Sequence, residues 1–288
     1  WNSISPRLGV VFKLNEAGTT TMKAHYGRYY RGVVTSEYDN VSPSITPRFL
    51  FDGTYVNGAP NPASLELVSD NTNLTVDPDF RNPYTDQYIF GFEHELITNL
   101  GIQVNYVHKR GEHYGGWNEI NGTYVPFSYV DSVGAEASGQ TITLQRLTTP
   151  SDERLFFLTN PDEMFSRYNA LAFQAQKRMS DRWQLTGSIV FSKSEGRIGS
   201  STGSPTAAQT GTAGTFGQNP NDFVNTDGRL IGDRPVVAKL QFLWDAPGGV
   251  TSGLNYMHQD GHPWGRQIQV GGLGFPARPA ILMERLTG

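Results

Sequence analysis

Four times along this chain an alternating strand, a short turn and a second alternating strand are followed by a long polar stretch. The clearest unit runs from Asp86 to Leu96, turns at Thr98–Gly101 and returns over Ile102–Lys109. Tyr88, Phe90, Phe92 and Leu96 share one parity, while Gln87, Gly91, Glu93 and Glu95 share the other. Successive strand residues point to opposite faces, so one surface is apolar and the other polar. In a water-soluble sheet the apolar surface needs a second layer, and this chain offers little to build one. A closed barrel in a membrane needs none, because lipid covers that face and neighbouring strands satisfy each other's backbone groups. The pattern predicts an all-β chain, an antiparallel up-and-down transmembrane β-barrel.

The other units repeat the plan. Pro6–Leu14 pairs with Thr19–Gly32 across Asn15–Gly18, with Leu8, Val10, Phe12, Met22, Ala24 and Tyr26 on the apolar side. Asn169–Met179 pairs with Trp183–Lys193, placing Leu171, Phe173, Ala175, Trp183, Leu185, Ile189 and Phe191 together. Pro235–Trp244 pairs with Thr251–Gln259, with Val236, Ala238, Leu240, Phe242 and Trp244 sharing a face. Strands of this length cross a bilayer at a tilt of about 45°. The opposite parity carries Arg7, Lys13, Lys23, Glu93, Glu95, Gln103, Asn105, Lys109, Gln174, Gln176, Arg178 and Lys239, a polar set suited to a hydrated lumen. Tyr29 and Tyr30 are expected in the aromatic girdle at the membrane interface.

The connections are lopsided. Turns on one side are short, while Arg31–Thr85, Tyr114–Arg167 and Arg197–Asp233 span roughly 55, 54 and 37 residues. Such loops count against a compact soluble domain, and match the short periplasmic turns and long extracellular loops of bacterial barrels.

Composition excludes several classes. No apolar run approaches the ~18 residues of a membrane helix. A net charge of −4 leaves no nucleic-acid footprint. With Cys 0 there is neither a disulfide framework nor cysteine catalysis, which suits a chain crossing an oxidising periplasm. The first residue, Trp1, and the last, Gly288, are expected to be internal to something longer.

Particular phrases add to the pattern. Ser5–Gly9, His25–Tyr30, Asn82–Tyr88, Gly91–Leu96, Tyr168–Leu171, Gln176–Ser180 and Asn225–Arg229 resemble TonB-dependent outer-membrane receptors. The similarity is closest to the Oar-like branch, whose members carry a carboxypeptidase-regulatory-like domain. The resemblance implies a barrel of twenty-two strands, of which residues 1–288 would supply about eight, the plug domain and final strands being absent. It implies ligand binding at the extracellular face and TonB-energised passage across the outer membrane, with the TonB complex engaging a plug. The implied partners are outer-membrane lipid and an extracellular ligand of unknown identity. No cofactor is implied.

Candidate chemistry sites are few. Gly199-Ser200-Ser201-Thr202-Gly203 satisfies the serine-hydrolase pattern, with Ser201 as nucleophile, His258 or His262 as its histidine partner, and Asp227 or Asp260 to orient that histidine. It lies in a Ser/Thr/Gly/Ala-rich stretch that produces the match by composition. A serine hydrolase remains an alternative, separated by Ser201→Ala, as does a soluble β-rich binding module that is stable without detergent. Asn219, Asn221, Asp222, Asn225 and Asp227 form an oxygen-rich run; Asp222 and Asp227 are the calcium candidates, against a turn-forming role. His108 and His113, five apart, point to opposite faces of a strand and make no zinc pair. In the second long loop Tyr114, Trp117, Tyr124, Phe127 and Tyr129 either contact a ligand or pack the loop's own core.

Overall fold

The computed structural model describes residues 3–31, 49–70, 74–134, 137–150, 153–198, 219–275 and 279–283. Eight strands form one antiparallel path: Arg7–Lys13, Thr20–Tyr30, Tyr84–Ile97, Leu100–Glu112, Ser166–Ser180, Trp183–Gly196, Val236–Ala246 and Val250–Gln259. Each pairs with its sequence neighbour in this order, and Gly228–Arg229 adds a short ninth strand beside Trp183–Gly196. No helix among the described residues is long and apolar enough to cross a membrane, so any crossing belongs to these strands.

Two adjacent rows show what the register does with the alternation. Phe12, Met22, Phe92, Val104, Phe173, Ile189, Ala238 and His258 lie side by side across all eight strands. The next row is Lys13, Thr21, Glu93, Gln103, Gln174, Ser188, Lys239 and Met257. A slip of one residue in any pair would mix these faces. On the apolar face Leu8, Phe12, Met22, Phe90, Phe173, Phe191 and Leu254 stand between 39% and 68% exposed. Among the described residues no second sheet covers them, so the surface that a soluble sandwich would bury is open. Water-soluble monomers rarely expose an apolar surface of this extent.

The turns on one side are tight, as expected. Thr98-Asn99 and Asp181-Arg182 each join two strands with two residues, with Asn99, Asp181 and Arg182 at positive φ of 70°, 51° and 69°. Backbones of this twist match the right-handed twist of the strands they join.

The other side carries the buried core. Of the buried apolar side chains among the described residues only Ala170 belongs to the wall; Leu144 and Leu158 lie in the second long connection, and Val270, Leu273 and Ile281 follow the last wall strand. There Gly116–Glu119 and Leu74–Val76 flank Phe156–Thr159. Tyr124–Val130 pairs with Thr141–Leu147, and Gln267–Gln269 with Ala280–Leu282. The described parts of the long loops, with the segment after the last wall strand, therefore form a folded cap packed with its own apolar clusters.

Candidate functional site

The lumen-facing parity places every charged and amide residue expected there on one side of the wall. Lys23 bridges to Glu93 at 2.6 Å, Thr21 donates to the same carboxylate at 3.4 Å, and Gln103 donates to Asn105 at 3.2 Å. Toward the short turns Thr21, Glu93, Glu95, Gln103, Gln174 and Arg178 line a cavity of about 420 Å³. Such a surface holds water or a polar chain and offers lipid nothing. Toward the loops, Tyr29 takes the guanidinium of Arg7 over its ring at 4.7 Å and accepts or donates a hydrogen bond with His25 at 3.2 Å. Tyr29 is thus lumenal, and only Tyr30 reaches the girdle, because successive residues of a strand cannot share a face. The girdle is built from Tyr26, Tyr30, Tyr84 and Tyr88, with ring centroids 5.0 Å apart for Tyr26–Tyr88 and 5.6 Å for Tyr30–Tyr84.

The cap is stitched between connections far apart in sequence. Arg266 donates to Asp131 and to the Val133 carbonyl, and Asp131 also accepts from the Ser138 N–H and hydroxyl, both at 2.9 Å. The Ser138 N–H, with Arg266 behind it, holds the Asp131 carboxyl below the usual carboxylate range. Glu119, 2% exposed at its side chain, takes Arg154 and the Tyr124 hydroxyl. Burial, reinforced by Glu119, pushes the Tyr124 phenol up. Asn221 accepts from the Gln145 N–H and donates to its carbonyl, both at 2.7 Å, extending the edge of Thr141–Leu147 like a further strand residue. Asn225 donates to the Leu282 carbonyl at 2.9 Å. Glu119, Arg154 and Arg266 did not stand out in the sequence as functional, because no local motif marks a residue whose partner lies 35 or 135 positions away, and Asn221 stood there only within the oxygen-rich run.

Four of the aromatic candidates, Tyr114, Tyr124, Phe127 and Tyr129, pack within the cap. Tyr114 is 8% exposed, hydrogen-bonds the Ser166 hydroxyl at 2.7 Å and packs with Met164 and Ile198. Phe127 and Tyr129 pack on the cluster around Leu144, and Tyr124 lies 6.3 Å from Phe275. Trp117 pairs through its backbone with Leu158, and its side chain lies outside the described set.

Ser201, with the whole Gly199–Gly203 motif, lies outside the described residues. Of the histidines and acids offered as its partners, His258 lies 3.3 Å from Asp260, and Asp227 lies 3.8 Å from Arg197. Asn219 caps the short turn Pro220–Phe223 and donates to Asp222 at 3.1 Å, so the oxygen-rich run forms a turn. Among the described residues no three His, Cys, Asp or Glu side chains gather as a metal site would require. His108 belongs to the wall, 2.8 Å from Asn169, whereas His113 lies beyond the strand end, edge-on to Tyr84.

Comparison with known proteins follows the wall. Residues 1–266 match the model of a family described as outer membrane beta barrel domain. The outer membrane transporter YddB from Escherichia coli superposes on 97% of the chain with a TM-score of 0.50 at 14% identity, the match covering 32% of that protein. The siderophore receptor PirA from Acinetobacter baumannii covers 97% of the chain at 10% identity and a TM-score of 0.47, over 33% of its own length. The chain thus spans about a third of the length of each, and at 14% identity the likeness to YddB speaks to fold alone. No curated protein matches.

Proposed function

The chain belongs to the outer membrane beta barrel domain family and resides in the bacterial outer membrane; from that premise we propose that its wall serves transport. In this reading the eight strands are a section of a larger, TonB-energised receptor barrel of the Oar-like kind. It binds a ligand at the extracellular side and passes it inward, with no covalent chemistry of its own. The observation that carries the reading is the pairing of two unlike faces on one sheet. The lumen row from Lys13 to Lys239 is charged or hydrogen-bonding at every position before Met257, and backs directly onto the apolar row from Phe12 to Ala238. A wall of that kind separates lipid from a water-filled or plugged path. A folded cap at the loop end adds a place for recognition that the wall lacks.

The test compares spent medium from cells with and without the full-length gene, each with and without a protonophore. The expected result is a solute depleted only when the gene is present and the inner membrane energised. Depletion insensitive to the protonophore would remove the TonB coupling. Identical media in all arms would remove the transport reading.

A further inference from the structure

Across the register, one lateral row of the wall is almost entirely charged. Arg28 lies opposite Asp86, Asp86 opposite Arg110, Arg110 opposite Arg167, Arg167 opposite Glu195, and Glu195 opposite Arg229. The row has the parity of Phe92 and Phe173, so its side chains leave the wall on the lipid side. Directly below it runs the row of Tyr26, Tyr88, His108 and Asn169. A strand tilted by about 45° advances ~2.4 Å along the membrane normal per residue, so a ~25 Å apolar band takes about ten residues. Counted from Leu96 at the turn end, that band closes near Asp86. Asp86 therefore stands near the headgroup level of the external leaflet, with Arg110 and Arg167 on the next two strands of a row inclined to the membrane by the same tilt.

Most of the row is internally neutralised. Asp86 takes Arg28 through two bonds of 2.8 and 2.7 Å, Asp233 takes Arg229, and Glu195 is held by Lys193 at 2.5 Å. The centre is different. Arg110 and Arg167 face each other directly across a strand pair, a like-charge placement that disfavours the sheet. Arg110 is ion-paired with Glu112 yet keeps 58% of its side chain exposed. Arg167 is exposed, lies 4.9 Å from the Phe165 ring centre and has no ion-pair partner among the described residues. Two exposed guanidiniums on neighbouring strands, that of Arg167 without an ion-pair partner among the described residues, with the exposed apolar Tyr106 and Leu171 beneath them, match an anion that is itself anchored in lipid.

We propose that Arg110 and Arg167 bind a phosphate of a lipid headgroup in the external leaflet, the phosphate bridging the two guanidiniums and the acyl chains covering Tyr106 and Leu171. The site is independent of whatever the lumen carries. It assigns this part of the wall a fixed lipid where a fluid contact would otherwise lie.

The full-length protein, in non-ionic detergent, is incubated with vesicles carrying a phosphorylated glycolipid or the same glycolipid dephosphorylated, and the lipid retained after repurification is counted by mass spectrometry. Wild type is expected to retain the phosphorylated form about tenfold better or more, as one or two charge-assisted hydrogen bonds imply. The Arg110→Ala/Arg167→Ala double variant is expected to lose that preference while retaining the dephosphorylated lipid as before. Equal retention of the two lipids by wild type overturns the proposal without any variant, so a misfolded variant does not protect it. A preference that survives in the folded double variant also overturns it. Inorganic phosphate that abolishes the preference at concentrations no higher than the lipid's would assign the pair to a free anion and overturn the lipid.

Discussion

Lys177 and Trp183 close the third wall hairpin on each other: the lysine ammonium donates to the Trp183 carbonyl at 3.1 Å and lies 4.1 Å from the centre of its ring. The same ammonium donates to the Ser180 carbonyl at 2.8 Å and hydroxyl at 2.7 Å. Its register partners are Leu100 and Leu185, on the lipid-facing parity, where a lone ammonium is costly. The long stem carries the charge to the polar turn, where carbonyls receive it. Lys177→Met should therefore destabilise the full-length barrel in urea by about 1–3 kcal/mol, the range for carbonyls losing a charged donor. A variant as stable as wild type would mean that the turn holds itself.

The two faces predict opposite tolerance to charge. Phe90→Arg and Leu240→Arg should each cost ~2–4 kcal/mol for positions near the bilayer midplane, whereas Gln87→Arg and Gln241→Arg should be close to neutral. Unfolding titrations in lipid check this, and equal costs on both parities would remove the assignment of faces.

Acid should loosen the cap before the wall. Burial, with Arg81 nearby, lowers the His113 pKa from its ordinary value, so the stability it contributes is present above ~6.5 and declines on acidification below it. The Asp77 carboxyl is held low by the Thr159 hydroxyl and then the Asp79 N–H, and Asp131 by Ser138. For both, folded-state pKa values below the unfolded ones mean stability present above ~3.9 and lost as pH falls through the folded values. Protease cleavage within residues 114–165 should rise as pH drops while the wall stays protected from hydrogen exchange. Uniform loss in both regions would contradict this.

The cap aromatics can be separated from ligand contacts by their stability cost. Tyr114→Ala should lower cap stability by about 3–5 kcal/mol, as for other buried aromatics, seen as early local unfolding by hydrogen exchange. Tyr114→Phe should cost only about 1 kcal/mol, the value of its hydrogen bond to Ser166. A Tyr114→Ala protein that is unchanged in stability but no longer depletes its solute would make Tyr114 a ligand contact instead.

Gly274→Ala should destabilise the cap by more than about 1 kcal/mol, because φ is +77° and an added Cβ would run into the backbone carbonyl of Leu147. That carbonyl belongs to the segment whose N–H donates to Leu273 at 2.8 Å, so both strands of the junction would shift. Gly272→Ala, also at φ +77° but with open space around it, separates backbone strain from the clash. Equal costs at the two glycines would leave the clash without effect.

The period-2 pattern was sufficient for the faces within each hairpin. Tyr88, Phe90 and Phe92 fall on one side and Gln87, Glu93 and Glu95 on the other because a strand has only two sides to offer. The strand limits and tight turns follow from the same alternation, broken by Asn99, Asp181 and Pro247-Gly248-Gly249. Tyr29 was misplaced as a girdle residue only where parity was set aside in favour of its neighbour Tyr30.

By itself the sequence determined that this chain makes a two-faced, lipid-covered sheet with short turns on one side, since side-chain alternation is local and needs no partner. Only the tertiary structure decided which hairpins lie beside one another and at what stagger. Loops of roughly 37–55 residues separate the hairpins and carry no record of register. The opposition of Arg110 to Arg167, the hold of Arg266 on Asp131 and the docking of Asn221 on Gln145 depend on that stagger. Each joins residues whose meeting is set by backbone hydrogen bonds and cap packing, contacts that exist only once the chain has closed on itself.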